Sequence, residues 1–218
     1  MRTSLLLLTI CFSGVLLSTA TCKKEESKPT LTRSEPAIVF LGDSLSAGLG
    51  LPEELTFPYL IQEKIDAAGL KYRVINAGRS GDTTAGGLSR LQWYLRKDVK
   101  LKILIIELGS NDAMRGQPPE SIEKNLTEII RKTRAYDPTV KILMYQFYTF
   151  PNLGKVYGDK FLQIFPRIAK KEKVELLAFP LEGVAGKPEL NQADGIHPNP
   201  KGSPIVANNV WKSLKPHL

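Results

Sequence analysis

The sequence predicts a three-layer α/β/α fold built around a five-stranded parallel sheet. Five short runs rich in Val, Ile and Leu alternate with five longer amphipathic stretches from residue 37 onward. The apolar runs are nearly continuous, as in strands buried on both faces, and strands that alternate with helices form parallel sheets. A chain of 218 residues, 42% of them hydrophobic, suffices for one sizeable core. We therefore expect a single domain over residues 37–218.

The predicted strands and helices alternate along the chain. The strands are expected at Ala37–Leu41, Tyr72–Ile75, Leu101–Leu108, Val140–Phe147 and Val174–Leu177. The helices are expected at Pro58–Ala68, Thr84–Lys97, Pro119–Tyr136 and Gly158–Lys173, with a fifth after Ser203-Pro204. A Ser at the cap followed by Pro at the first helical position is a typical helix start.

The amino-terminal residues 1–21 are typical of an export signal. Arg2 precedes an apolar stretch, Leu5–Leu17, which is too short to span a membrane and favours a secretory signal peptide. Small residues then lead to Cys22, where a bacterial lipoprotein would be cleaved and lipidated. Ordinary cleavage after Ala20, leaving a free thiol at Cys22, is the alternative. We favour lipidation because an exposed free thiol is unusual in an exported protein.

Residues 22–36 are expected to form the lipidated amino terminus and a flexible tether. From Lys23 to Pro36 they carry seven charged residues and two prolines, with almost nothing apolar. The protein is then anchored in the bacterial cell envelope, or periplasmic if Cys22 is unmodified. Cys11 leaves with the signal, so the domain after Cys22 has no cysteine for a disulfide or a thiolate zinc site.

The formal net charge of +8 does not indicate a nucleic-acid partner. The basic clusters fall in the last turns of predicted helices, where they complement the helix dipole. Proteins that bind single-stranded nucleic acids interleave aromatic residues with basic ones, and these clusters show no such pattern. A basic face resting on anionic lipid is a secondary possibility. We expect a monomer.

Four short stretches each contain a residue type that acyl transfer needs. They are Gly42–Ser46, Gly78–Asp82, Gly109–Asp112 and Asp194–Pro198. The first three follow predicted strands and the fourth precedes the last helix. Ligands of such sheets gather beyond the carboxyl ends of the strands, so we expect the four stretches to converge there. Asp43 and Asp112 are expected to fix these loops as hydrogen-bond acceptors.

Ser44 is the predicted nucleophile. A serine hydroxyl needs a positioned base, and His197 is the candidate because the other histidine of the mature chain, His217, is next to the carboxyl terminus. Asp194 lies three residues before His197, close enough to orient its imidazole. The backbone N–H of Ser44, a turned Gly81 and the side chain of Asn111 are candidate oxyanion donors. Taken singly, the glycine and the asparagine are also explained by turn and cap chemistry.

Two other serines near these stretches have different interpretations. Ser80 lies in Gly-Arg-Ser-Gly, which is not the nucleophile elbow of the larger α/β-hydrolases. Ser46 is two residues past Ser44, and we expect it to cap a helix.

The four stretches resemble the motifs of the SGNH (GDSL) hydrolases, and within them the thioesterase I, lysophospholipase L1 and arylesterase group. The resemblance implies a flavodoxin-like strand order, a triad of Ser44, His197 and Asp194, and an oxyanion hole formed by Ser44, Gly81 and Asn111. None of these positions is substituted. The lipid anchor and tether depart from the soluble periplasmic relatives. Such a triad needs no metal or cofactor, and we expect none.

Three function classes follow from these patterns. The first is hydrolysis of small-molecule or lipid esters or thioesters through an acyl-enzyme, the second removal of acetyl groups from envelope sugars, and the third non-catalytic binding by a surface lipoprotein. The intact triad disfavours the third class. The loop Gln146–Gly158 is rich in aromatic and aliphatic residues, and either lines a groove for acyl chains or packs on itself.

Overall fold

The five predicted strands form one parallel sheet. The computed structural model describes residues 34–149 and 151–218, so the predicted signal peptide, Cys22 and all but the last three tether residues lie outside the described residues. The strands are β1 Ala37–Gly42, β2 Arg73–Gly78, β3 Leu101–Glu107, β4 Lys141–Tyr145 and β5 Glu175–Leu177. Their order across the sheet is β2-β1-β3-β4-β5, which confirms the predicted flavodoxin-like arrangement.

Helices cover both faces of this sheet. They are α1 Ser44–Ala47, α2 Phe57–Ala67, α3 Thr84–Arg90, α4 Ser110–Met114, α5 Pro119–Tyr136, α6 Lys155–Glu172 and α7 Ser203–Leu214. One layer contains α2 packed against α7, and the other contains α3 and α6 packed against α5. Over residues 34–149 and 151–218, no helix has the length and apolar character to cross a membrane.

The central strands explain why the sequence shows nearly continuous apolar runs. All six residues of β1 are buried, and only Lys102 is exposed in β3, because helices cover both faces of these strands. The edge strand β2 is mostly half-buried. This pattern is expected of a parallel sheet between two helical layers.

Two helix boundaries differ from the prediction. α3 ends at Arg90, which is buried, rather than at Lys97, and a single 3-10 turn follows it. α6 begins at Lys155, three residues before the predicted Gly158, so the apolar loop after β4 is shorter than expected.

Arg90 links the ends of β1 and β2 through a buried ion pair. Its Nε donates to Asp82 Oδ2 at 2.5 Å. Its Nη1 donates to the carbonyl of Ala77 at 2.5 Å, and its Nη2 donates to the carbonyl of Gly42 at 2.8 Å. The Arg90 and Asp82 side chains are 4% and 9% exposed. One guanidinium therefore binds a carboxylate and a carbonyl from each of the two strands at this edge.

We expect Arg90→Met to lower the free energy of unfolding by about 3–5 kcal/mol, because it leaves Asp82 charged, buried and unpaired. Equilibrium unfolding in urea measures this loss. The matched control is Arg96→Met, which breaks an ion pair with Asp98 whose side chains are 59% and 65% exposed. That change should cost at most about 1 kcal/mol. Equal losses in the two variants would contradict the role given to Arg90.

Candidate active site

The predicted site residues lie at the carboxyl edge of the sheet, as expected. Ser44 is the first residue of α1, directly after β1 and Asp43, and Asn111 lies in α4 after β3. Together with His197 they line one cavity of about 350 Å³. Asp194 reaches it through His197. Gly81 does not line the cavity, but its carbonyl accepts a hydrogen bond from Arg115 Nη2 at 2.8 Å, at the end of α4.

Ser44, His197 and Asp194 form a continuous hydrogen-bonded row. The Ser44 Oγ is 2.8 Å from His197 Nε2, and His197 Nδ1 is 2.6 Å from Asp194 Oδ2. Asp194 Oδ1 also accepts hydrogen bonds from the backbone N–H groups of Ile196 and His197. The hydrogen bond from the His197 backbone is the main reason why the pKa of Asp194 falls to about 2.

The ionised Asp194 determines which imidazole nitrogen carries the proton. Because a carboxylate only accepts hydrogen bonds, His197 Nδ1 must donate to it. In a neutral imidazole this leaves Nε2 as an acceptor, and it faces the Ser44 hydroxyl. The row is therefore arranged for transfer of the Ser44 proton to His197.

Asp43 connects the serine turn to the asparagine helix. Its Oδ1 accepts a hydrogen bond from the N–H of Leu45 at 3.0 Å and so caps α1. Its Oδ2 accepts one from Asn111 Nδ2 at 3.0 Å. The Asp43 side chain is buried, and burial raises its pKa to about 6. The loop-fixing role predicted for Asp43 is confirmed, and one of the two Asn111 amide hydrogens stays available to the cavity.

Asp112 has the same role in the neighbouring turn. Its Oδ2 accepts a hydrogen bond from the N–H of Thr84 at 2.8 Å, and its Oδ1 accepts one from Thr84 Oγ1 at 2.6 Å. Burial raises the pKa of Asp112. The first residue of α3 is thereby joined to α4, as the predicted loop-fixing role requires.

The prediction that Ser46 caps a helix is wrong, since Asp43 caps α1. Ser46 is fully buried and donates through Oγ to Glu107 Oε2 at 2.7 Å. Glu107 is a further residue of this region that the sequence analysis did not single out. Its signal was a single carboxylate at the end of a strand that is apolar apart from Lys102.

The wall of the cavity is mainly apolar and comes from several loops. The apolar side chains that line it belong to Leu45, Met114, Phe147, Tyr148, Phe179, Leu181, Ala185 and Ile196. Phe179 makes edge-on ring contacts with Phe147 and Tyr148, at centroid distances of 6.0 and 5.2 Å. The sequence analysis found only the two aromatics that follow β4, because the others lie in loops far apart along the chain.

The loop after β4 was predicted either to line a groove or to pack on itself, and each applies to part of it. Phe147 and Tyr148 line the cavity. Tyr157 instead stacks on Phe161 and donates its hydroxyl to the carbonyl of Gln117, and Leu153 packs on the core. Phe150 lies outside the described residues.

The described residues contain no cluster of side chains suited to a metal ion. In the part of the chain that the structure describes, no three acidic, histidine or cysteine side chains are grouped so that they could hold an ion.

Comparisons with known proteins agree with this geometry. Residues 40–204 match the model of the GDSL-like lipase/acylhydrolase family. The chain is 38% identical over 213 residues to Esterase TesA of Pseudomonas aeruginosa, covering 98% of each chain. It is 37% identical over 179 residues to thioesterase 1/protease 1/lysophospholipase L1 of Escherichia coli strain K12, covering 82% of this chain and 83% of the relative.

A solved structure extends the comparison to three dimensions. The psychrotrophic esterase EstA from Pseudoalteromonas sp., inhibited by monoethylphosphonate, superposes with a TM-score of 0.79 at 34% identity. The match covers 84% of this chain and 98% of that one. Motifs, fold and sequence matches thus agree, and the chain belongs to the GDSL-like lipase/acylhydrolase family, as its sequence predicted.

Proposed function

We propose that the protein is a serine hydrolase that cleaves carboxylic esters or thioesters through an acyl-enzyme. The observation that carries this proposal is the row of Ser44 Oγ, His197 Nε2 and Asp194 at hydrogen-bond distances of 2.8 and 2.6 Å. Relatives named as an esterase and a thioesterase support the same chemistry.

In the first half of the reaction, His197 Nε2 takes the hydroxyl proton while Ser44 Oγ attacks the carbonyl carbon. Asp194 stabilises the imidazolium that forms. The tetrahedral intermediate then collapses, His197 gives its proton to the leaving alcohol or thiol, and the acyl group stays on Ser44. In the second half, His197 activates water, which releases the acid and restores the serine.

Three donors are proposed to stabilise the oxyanion. The Ser44 N–H lies at the start of α1, and Asn111, which gives one amide hydrogen to Asp43 and has a second to donate, lines the cavity. Gly81 has a φ of +79°, a left-handed conformation that favours glycine and lets the loop after β2 turn its N–H toward the same edge. Such donors act mainly in the transition state, and losing one typically lowers turnover by about 10²–10³.

The cavity favours an apolar acyl group as the part of the substrate that it binds. Aromatic and aliphatic side chains dominate its wall, and Ser44, His197 and Asn111 are among the polar residues that line it. A sugar bearing an acetyl group would instead need many hydrogen-bond partners. This contrast makes acyl esters or thioesters the leading substrate class and envelope O-acetyl sugars the second.

Ser44→Ala should abolish hydrolysis of p-nitrophenyl esters and labelling by a fluorophosphonate probe, because the attacking oxygen is lost. Unchanged circular dichroism should show that the fold persists. Ser80→Ala is the matched control and should keep both activities. Labelling that persists in Ser44→Ala, or a probe found on Ser80 by mass spectrometry, would remove the nucleophile assignment.

A panel of p-nitrophenyl esters of increasing chain length, with acyl-CoA and acetylated sugars beside it, tests the substrate class. We expect kcat/KM to rise from the acetyl ester to longer chains. Ala185→Phe should fill part of the cavity and shift the preference toward shorter chains. The control Val156→Phe places the same ring on a residue that is 74% exposed and should change nothing. Acetylated sugars as the best substrates would favour the alternative.

We also propose that the protein is exported and held in the cell envelope by a lipid on Cys22. The support is the apolar signal that ends at this cysteine and the charged segment that follows it. Globomycin, which blocks cleavage of lipoprotein signals, should leave an uncut precursor. A mature protein that begins at Thr21 with an unmodified thiol would contradict the anchor.

A further inference from the structure

Glu107 is a fully buried glutamate directly beside the serine turn. It ends β3 and pairs in register with Gly42, the last residue of β1. Its hydrogen-bond partners among the described residues, Asp43 and Ser46, are not basic. Burying a carboxyl group without a cation is costly unless the group is neutral or richly hydrogen-bonded, so the position calls for a specific role.

The contacts of Glu107 enclose the nucleophile from both sides. Its Oε2 accepts hydrogen bonds from the N–H of Asp43 at 3.3 Å, the N–H of Ser46 at 3.2 Å and Ser46 Oγ at 2.7 Å. Asp43 directly precedes Ser44 in the chain, and Ser46 follows it by two residues. One oxygen therefore holds the backbone on both sides of the reactive hydroxyl.

Gly42 makes room for this arrangement. A Cβ at this position would lie 2.4 Å from Glu107 Oε2 and 2.2 Å from Ser46 Oγ, closer than real contacts allow. The glycine of the Gly42-Asp43-Ser44 motif is thus required by the glutamate and serine that fill the space above it.

The two carboxyl oxygens of Glu107 have different hydrogen-bond surroundings. Three donors point at Oε2, whereas Oε1 is buried and has no partner among the residues described. Burial and the nearby Asp43 carboxylate both raise the pKa of Glu107 well above its ordinary value. A neutral acid leaves no charge on the unpartnered Oε1, and two close carboxylates are not readily ionised together.

We propose that Glu107 is a positioning residue for the proposed hydrolysis, acting as a neutral acid that fixes the backbone around Ser44 and, through Asp43, the amide of Asn111. The path is short: Glu107 holds the N–H of Asp43, and the Asp43 carboxylate holds Asn111 Nδ2. This inference rests on the proposed function, and it adds a residue outside the triad and the oxyanion donors.

The proposal predicts that kcat falls at alkaline pH, so that its pH profile has an alkaline limb. A raised pKa means that the fold stabilises the protonated form, and this contribution is lost as the pH rises through the folded-state pKa. A second negative charge then appears beside Asp43 and weakens the turn. Tyr145 from β4 also faces Glu107, but burial raises the pKa of its hydroxyl. The nearby charge of His197 acts to lower the pKa of Asp43, the other member of this carboxyl pair.

The test compares Glu107→Leu with Glu107→Gln. The leucine removes every hydrogen bond to the turn, and we expect kcat to fall about 10- to 100-fold, as for small displacements of reacting groups, with KM within about twofold. The glutamine is neutral and keeps an acceptor oxygen, so it should restore most of the activity and lack the alkaline limb. The burst of p-nitrophenol from a p-nitrophenyl ester counts the sites that become acylated, and each rate is divided by that number.

Glu172→Gln is the matched control. Glu172 is also buried, at 9% exposed, but it pairs with Arg131 and Arg134 on the helical layer and does not line the cavity. Its substitution should lower Tm and leave the pH profile of kcat as in the wild type.

Infrared difference spectra separate this proposal from the proposed function. At pH 7 the wild type minus Glu107→Gln should show a protonated carboxylic acid band, whether or not the enzyme accepts a given ester. A carboxylate band instead would overturn the proposal, as would a Glu107→Gln variant as impaired as Glu107→Leu. An unchanged kcat per titrated site in Glu107→Leu would equally overturn it.

Discussion

The hydrogen bond between Asp43 and Asn111 joins the ends of two neighbouring strands, and the rest of the site depends on it. Together with the hydrogen bonds that Glu107 accepts from Asp43 and Ser46, it holds the turns after β1 and β3 together at the sheet edge. With it, the serine and the amide face the same cavity. The buried Arg90 does the same for β1 and β2 by bonding their terminal carbonyls. Polar contacts beyond the carboxyl ends of the strands, where the backbone hydrogen bonds of the sheet end, thus hold the site together.

The main elements could be predicted because their signals are local and strong. The central strands are buried on both faces and therefore nearly continuous in apolar residues, and even the edge strands β2 and β5 contain short Val, Ile or Leu runs. α1 and α4 were not predicted because four and five residues show no helical periodicity. α1 has a local cap from Asp43 and hydrogen bonds between Ser46 and the distant Glu107. At the end of α3, Arg90 bonds Asp82, Ala77 and Gly42, and no spacing in the sequence indicates these partners.

Within the site, residue types were easier to predict than contacts. His197 was identified because the mature chain has only one other histidine, and Ser44 and Asp194 because of their places in the motifs. The apolar wall was found only where it follows a strand, at Phe147 and Tyr148. Phe179, Leu181 and Ile196 come from later loops, and no spacing in the sequence announces that these loops meet. Ser46 was misassigned because its partner, Glu107, is 61 positions away.

The hydrogen bond between Ser44 and His197 spans 153 positions, whereas His197 and Asp194 are three apart. The acid–base pair can therefore form within one loop, but its serine stands at the opposite end of the domain's sequence. A chain that emerges from a ribosome or a translocation channel amino terminus first has its serine long before its histidine. Under the proposed mechanism such a chain cannot hydrolyse an ester until its last segment has folded back, so hydrolase activity would report that the domain is complete.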